Sequence, residues 1–122
     1  MEILIALGDV RVEAALFDTP TARALYEALP IDSTVRTWGD EIYFEVPVYR
    51  ELDETAREVV QGGDLGYWPS GLAFCIFFGR TPVSGPGEIR PASAVNVVGR
   101  VKGRTEVLKT VPPGISVRLS RP

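Results

Sequence analysis

The stretch Trp38-Gly39-Asp40-Glu41-Ile42-Tyr43-Phe44-Glu45-Val46-Pro47-Val48 alternates with a period of two. Ile42, Phe44, Val46 and Val48 fall on one face, while Glu41, Tyr43 and Glu45 fall on the other. Successive side chains of a strand point to opposite faces, so one side of this strand meets a core and the other lies outside it. Gly39-Asp40 supplies the turn that joins a strand over Glu41–Tyr49 to Ser33–Trp38 as a hairpin. Pro47 has no N–H to give to a ladder, which places a sheet edge or bulge near it.

Working outward, Ile3–Leu7 and Val10–Leu16 form another hairpin about Gly8-Asp9. Between the hairpins the period changes. Asp18 or Thr19 caps a helix whose first turn accepts Pro20, Ala22, Leu25, Tyr26 and Leu29 recur at helical spacing, and Pro30 stops it. Downstream, Glu51–Val60 reads as a solvated connection with room for one helical turn around Leu52 and Ala56. The run Leu72–Phe78 is apolar throughout, as in a strand buried on both faces. Residues 79–93 are rich in Gly and Pro and read as loop. Ala94–Val101 is a strand with Gly99 at a bulge or close approach, and Ile115, Val117 and Leu119 mark a last strand. Seven or eight short strands with one main helix hide their edges by closing into a barrel.

Composition sets the outer bounds. A chain of 122 residues with 45% hydrophobic and 24% charged residues suits a single globular domain, 1–122. It contains no His, which removes His-based triads and His metal sites, and its one cysteine, Cys75, has no intrachain partner. No apolar run approaches the ~20 residues of a membrane helix, and the N-terminus lacks a basic leader, so a cytoplasmic protein is expected. Charge is uneven: residues 1–64 hold 14 acids against 5 bases, and residues 65–122 hold 2 acids against 8 bases. Six of those bases lie between Arg100 and Arg121 with no aromatic among them, so they lack the stacking surface of a nucleic-acid site. A basic face for an acidic partner is one reading of the split; neutralisation between adjacent halves of a closed sheet is the one expected, and neither nucleic acid nor membrane is expected as a partner.

Catalytic motifs are scarce. Walker loop, dinucleotide fingerprint and G-x-S-x-G are all missing, so neither cofactor nor metal is expected. Cys75 sits in the most apolar strand, where a thiol stays neutral. Glu41 and Glu45, four residues apart and so on one face of their strand, are the plausible acid–base groups. Trp38, Tyr43, Tyr67 and Trp68 fall at turns or on the polar face, where large amphipathic rings line a groove or plug a barrel end.

Three motifs in order, Trp38-Gly39-Asp40-Glu41-Ile42-Tyr43-Phe44, Gly63-Asp64-Leu65-Gly66-Tyr67-Trp68-Pro69 and Phe78-Gly79-Arg80-Thr81-Pro82-Val83-Ser84, resemble the small cyclophilin-like proteins of bacteria and archaea. The similarity extends through Asn96-Val97-Val98-Gly99-Arg100-Val101. It implies a closed eight-stranded β-barrel like that of the peptidyl-prolyl isomerases, with shorter loops. Gln61-Gly62-Gly63-Asp64 is similar to the Q-G-G-D segment of the true cyclophilins. The Arg those enzymes carry eight residues before that Gln is Asp53 here, the Phe three before it is Glu58, and the active-site His is absent.

Prolyl rotation has a barrier of ~18–20 kcal/mol, and a carboxylate where a cation stood gives a field of the wrong sign for the twisted amide. The expected function is therefore binding of an extended, proline-containing or other peptide, or of a small ligand, with isomerase activity absent or weak. Catalytic residues are not identified. The groove is expected between Glu41, Tyr43, Glu45, Tyr67 and Trp68, with Gln61 as a polar contact. The alternative is an enzyme of another class that pairs Glu41 or Glu45 with Arg80 or Arg90, the arginines bracketing the loop. Neither the ligand nor the oligomeric state is fixed by these residues.

Overall fold

A computed structural model describes residues 1–122. Strands β1 (Glu2–Leu7) and β2 (Val10–Leu16) form the first hairpin, and helix α1 (Pro20–Glu27) follows. Thr19 caps the helix through its hydroxyl, which accepts the Ala22 amide at 3.3 Å, and Pro20 occupies the first turn. Then come β3 (Ile31–Thr34), β4 (Arg36–Thr37), β5 (Glu41–Glu45), β6 (Ala56–Arg57), β7 (Asp64–Trp68), β8 (Ala73–Phe77), β9 (Val95–Val101) and β10 (Ser116–Ser120).

Nine strands follow one antiparallel path, β3-β10-β1-β2-β9-β7-β8-β5-β4, and β6 adds to β9 from outside it. The two ends of this path are consecutive in the chain. Val35 alone separates β3 from β4, and it stays bonded to the segment before β10: its amide donates to Ile115 and its carbonyl accepts from Gly114. The span 31–37 is thus one bent strand that pairs with β10 through its first half and with β5 through its second. Counted once, it makes an eight-stranded barrel. Closure leaves no long open edge.

Two expectations about element limits change. β5 ends at Glu45 rather than reaching Tyr49, because Pro47 gives no ladder bond, although Val46 and Val48 still point into the core. No helical turn forms in 51–60, where β6 pairs with β9 instead.

The interior holds Ile3, Ile5, Leu7, Leu25, Ile42, Phe44, Leu65, Phe74 and Ile76, all buried, with the Phe44 and Phe74 rings stacked 5.4 Å apart. Gly99 on β9 permits the close approach of β2: a Cβ there would strike the Ala15 carbonyl. β8 is buried along its whole length because its other face is also covered. Ala73, Cys75 and Phe77 pack outward with Val60 and Val95 into a second, smaller apolar layer. The loop from Gly79 onward folds back over that layer, pinned where Ile89 bridges Val60.

The charge split becomes contacts between halves. Glu2 pairs with Lys102, Asp64 with Arg100, Asp32 with Arg118 at 2.8 Å and Asp40 with Lys109 at 3.9 Å. Arg121 stacks over the Tyr26 ring at 4.3 Å. No helix is long and apolar enough to cross a membrane.

Candidate functional site

The site is built on the outer face of β5. In register, Glu41, Tyr43 and Glu45 stand opposite Phe77, Cys75 and Ala73 of β8, so these six side chains share one surface. At one end of that surface Trp38, Glu41, Tyr43, Trp68, Pro91, Ala92 and Val95 enclose a hollow of about 160 Å³. At the other, Arg36, Tyr43, Glu45, Trp68, Gly71 and Ala73 border a more open one of about 290 Å³. Tyr43 and Trp68 belong to both and form the ridge between them. Their rings meet edge to face, 6.5 Å apart at 88°, a favourable aromatic geometry.

Trp68 is fixed from two sides. Its indole N–H donates to the Ser93 hydroxyl at 2.6 Å, and its ring lies so close over Gly71 that a Cβ there would collide with it. Trp38 is held by its amide, which donates to the Glu41 carbonyl at 2.9 Å. Glu41 is 5% exposed and has no cationic partner. Burial pushes its carboxyl up to about 7, with the Cys75 thiol beside it pulling weakly the other way. Burial, and then the Glu41 charge, push the Cys75 thiol well above its usual range, so it is no nucleophile. An acid poised near neutral pH inside apolar walls can take or give a proton, or hold a cation.

Of the residues anticipated from sequence, Glu41, Tyr43, Glu45 and Trp68 lie together. Tyr67 does not. β7 runs through to Trp68 without breaking at the Tyr-Trp pair, so alternation sends Trp68 outward and Tyr67 into the barrel, fully buried. There its hydroxyl donates to the Val48 carbonyl at 2.6 Å and accepts from the Arg50 amide at 3.2 Å. Gln61 also lies elsewhere, in a separate polar depression with Phe17, Thr19, Arg57 and Asp64, where its amide donates to Asp64 at 2.9 Å.

Arg80 and Arg90 do not reach the hollows. Arg80 donates to the Ser84 carbonyl at 3.0 Å and Arg90 to Glu88 at 2.8 Å, so both brace the loop itself. Sequence reasoning missed Arg36, Pro91, Ala92 and Val95 as lining residues, and it noted Trp38 only as a ring outside the core. No three His, Cys, Asp or Glu side chains gather to hold a metal ion.

Asp53, at the position read as the missing cyclophilin Arg, lies away from both hollows, beside a separate open depression lined by Tyr49, Arg50, Glu51 and Leu52. Its carboxylate accepts from the Thr21 hydroxyl at 2.9 Å and from the Thr55 amide and hydroxyl at 2.8 and 2.6 Å. Its amide donates to Asn96, whose side chain donates in turn to Thr21 and to the Glu51 carbonyl. Burial pushes this carboxyl up, but the Thr55 and Thr21 bonds and the Arg50 charge outweigh it and leave it below its usual range. Asp53 ties the 51–55 segment to α1 and β9.

An eight-stranded barrel closed by one bent strand, with its ring-lined hollow on the outer wall, defines a cyclophilin-like domain, and the family model described as cyclophilin-like matches residues 1–120. The chain belongs to that family. Among solved structures, the hypothetical protein AF2241 from Archaeoglobus fulgidus is 46% identical, with a TM-score of 0.85 over 100% of this chain and 95% of that one. McbB in complex with tryptophan shares the fold at 16% identity, with a TM-score of 0.67 over 98% of this chain and 44% of that one. No protein with a curated description matches.

Proposed function

We propose that the protein is a binding module whose outer wall takes a ring-sized group of a small molecule or an extended peptide. The observation that carries this reading is the aromatic hollow whose lining includes the buried Glu41. A space of about 160 Å³ is close to the ~150 Å³ that accepts benzene in an engineered protein cavity. The neighbouring hollow across the Tyr43–Trp68 ridge is open enough for whatever the ring is attached to. That the fold can carry a small ligand agrees with McbB having been solved with tryptophan bound. The work is done in the cytoplasm, where a lone thiol stays reduced.

Isomerase activity is absent or weak in this reading. Both hollows offer a carboxyl to a bound group, and the smaller has no guanidinium to favour a twisted prolyl amide. Native mass spectrometry of the purified protein should reveal a retained small molecule or peptide, and Tyr43→Ala should lose it while remaining folded. Exchange NMR on prolyl peptides should show no acceleration; turnover at the level of a typical cyclophilin would remove the non-catalytic part.

A second reading rests on the carboxyl itself. An acid held at about 7 in an apolar pocket is suited to general-base work on a small substrate. The test is deuterium uptake by the recovered ligand in D₂O. Uptake that disappears in Glu41→Gln supports an enzyme, and no uptake leaves the binding module.

A further inference from the structure

Resting on the binding reading above, we propose that the group held in the smaller hollow is a methylated organic ammonium, such as the trimethylammonium head of a small quaternary amine. Three aromatic residues border the space, Trp38, Tyr43 and Trp68, and two of them stand nearly perpendicular, as adjoining walls of a box. Aromatic faces attract a cation through their quadrupoles, and boxes of such rings recognise quaternary ammonium groups. The remaining lining, Pro91, Ala92 and Val95, is apolar and suits methyl groups.

The fourth polar element decides the sign. Glu41 is 95% removed from solvent and no Lys or Arg answers it, an arrangement that costs stability unless something else brings the positive charge. A neutral ring would leave that carboxyl as it is. A bound ammonium would satisfy it, while its methyl groups fill the apolar walls without needing hydrogen-bond acceptors. A primary ammonium has three N–H donors to satisfy, whereas Glu41 is the only charged side chain in the lining and most of the rest is aromatic or aliphatic.

The titratable groups packed against Glu41 are few. Tyr43 stands beside it on β5, and Cys75 of β8 keeps its proton. Asp40, in the turn before it, faces Gly79 and Lys109. The turn carrying Trp38, the 91–92 segment and Val95 of β9 bring no other charge into the hollow. With Glu41 half-ionised near pH 7, a cation that needs the ionised form should bind about tenfold more tightly at pH 8 than at pH 6 and should release protons at pH 7.

The experiment titrates the full chain with tetramethylammonium chloride and, as a neutral match in shape, with tert-butanol. Indole N–H resonances of Trp38 and Trp68 and calorimetry at pH 6, 7 and 8 provide the readouts. The expected result is saturable binding of tetramethylammonium at least tenfold tighter than of tert-butanol, rising with pH. Glu41→Gln should abolish this preference but keep the weak tert-butanol response, and Trp68→Ala should weaken both. If tert-butanol binds as well as the cation, or if Glu41→Gln leaves the cation's affinity unchanged, the ammonium assignment is overturned while the binding module stands. If neither probe moves the indole signals and native mass spectrometry finds no ligand, both fail.

Discussion

Glu41, buried, and Asp53, half-buried, are acids on the same barrel, and their environments drive them in opposite directions. Asp53 sits among donors: two threonine hydroxyls and an amide reach its oxygens, and its own amide is answered by Asn96. Glu41 sits among rings and methyl groups, with one thiol for company. The first carboxylate is ionised more readily than in water and the second much less readily. Satisfaction marks a structural group, whereas a buried acid that no cation answers marks a place where the protein gives up stability for something it binds or does.

The comparison is calibrated by a change that touches neither acid. Phe44→Ala, on the inner face of β5 with its ring against Phe74, should cost ~3–5 kcal/mol in urea unfolding. A small loss would mean that the two faces of β5 are exchanged and that Glu41 is not on the outer wall. Next comes Asp53→Ala, which strands the Thr21 and Thr55 donors and should cost ~3 kcal/mol at pH 7. This acid's folded value is lowered, so its contribution is present above the unfolded range and fades as pH falls through the folded one.

For Glu41 the sign reverses. Its folded value is raised, so its favourable contribution is complete below about 4.5 and is lost as pH rises through about 7. Glu41→Gln should therefore gain ~2–3 kcal/mol at pH 8 and nothing at pH 4, read from urea midpoints across that range. An equal gain at both pH values would show that Glu41 carries no proton linkage, and the contrast with Asp53 would collapse. The smallest effect is expected at an exposed pair. Arg118→Ala breaks the contact with Asp32 and should change stability by less than ~1 kcal/mol, an amount that salt should erase.

Much of this arrangement was legible in the residues. The alternation of 41–48 set which side of β5 faces the core, and the unbroken apolar run 72–78 announced a strand covered on both sides. The helix, the hairpin turns and the pairing of early acids with late bases are local or compositional signals. Tyr67 was misread because Tyr67-Trp68-Pro69 carries the marks of a turn, while the strand persists for two residues more and places the rings on opposite faces. Glu41 was recognised as outward-facing, but its burial was not legible. That burial comes from Trp38 and from residues 91–92, which lie at very different distances along the chain, and no periodicity reports such a cover. Asp53 was judged by its place in a motif, whereas its partners Thr21 and Asn96 are 32 and 43 residues away.

The position of β10 has a consequence for how the molecule is made. It lies between β1 and the first half of the bent strand, so two of the earliest segments to be synthesised have no neighbour on one side until it arrives. A nascent chain therefore emerges with its acidic half complete, its barrel open and two unpaired edges waiting. Folding can be finished only after β10 clears the ribosome, so the outer edges of β1 and β3 stay without their native partner for longer than edges in a chain of consecutive hairpins do.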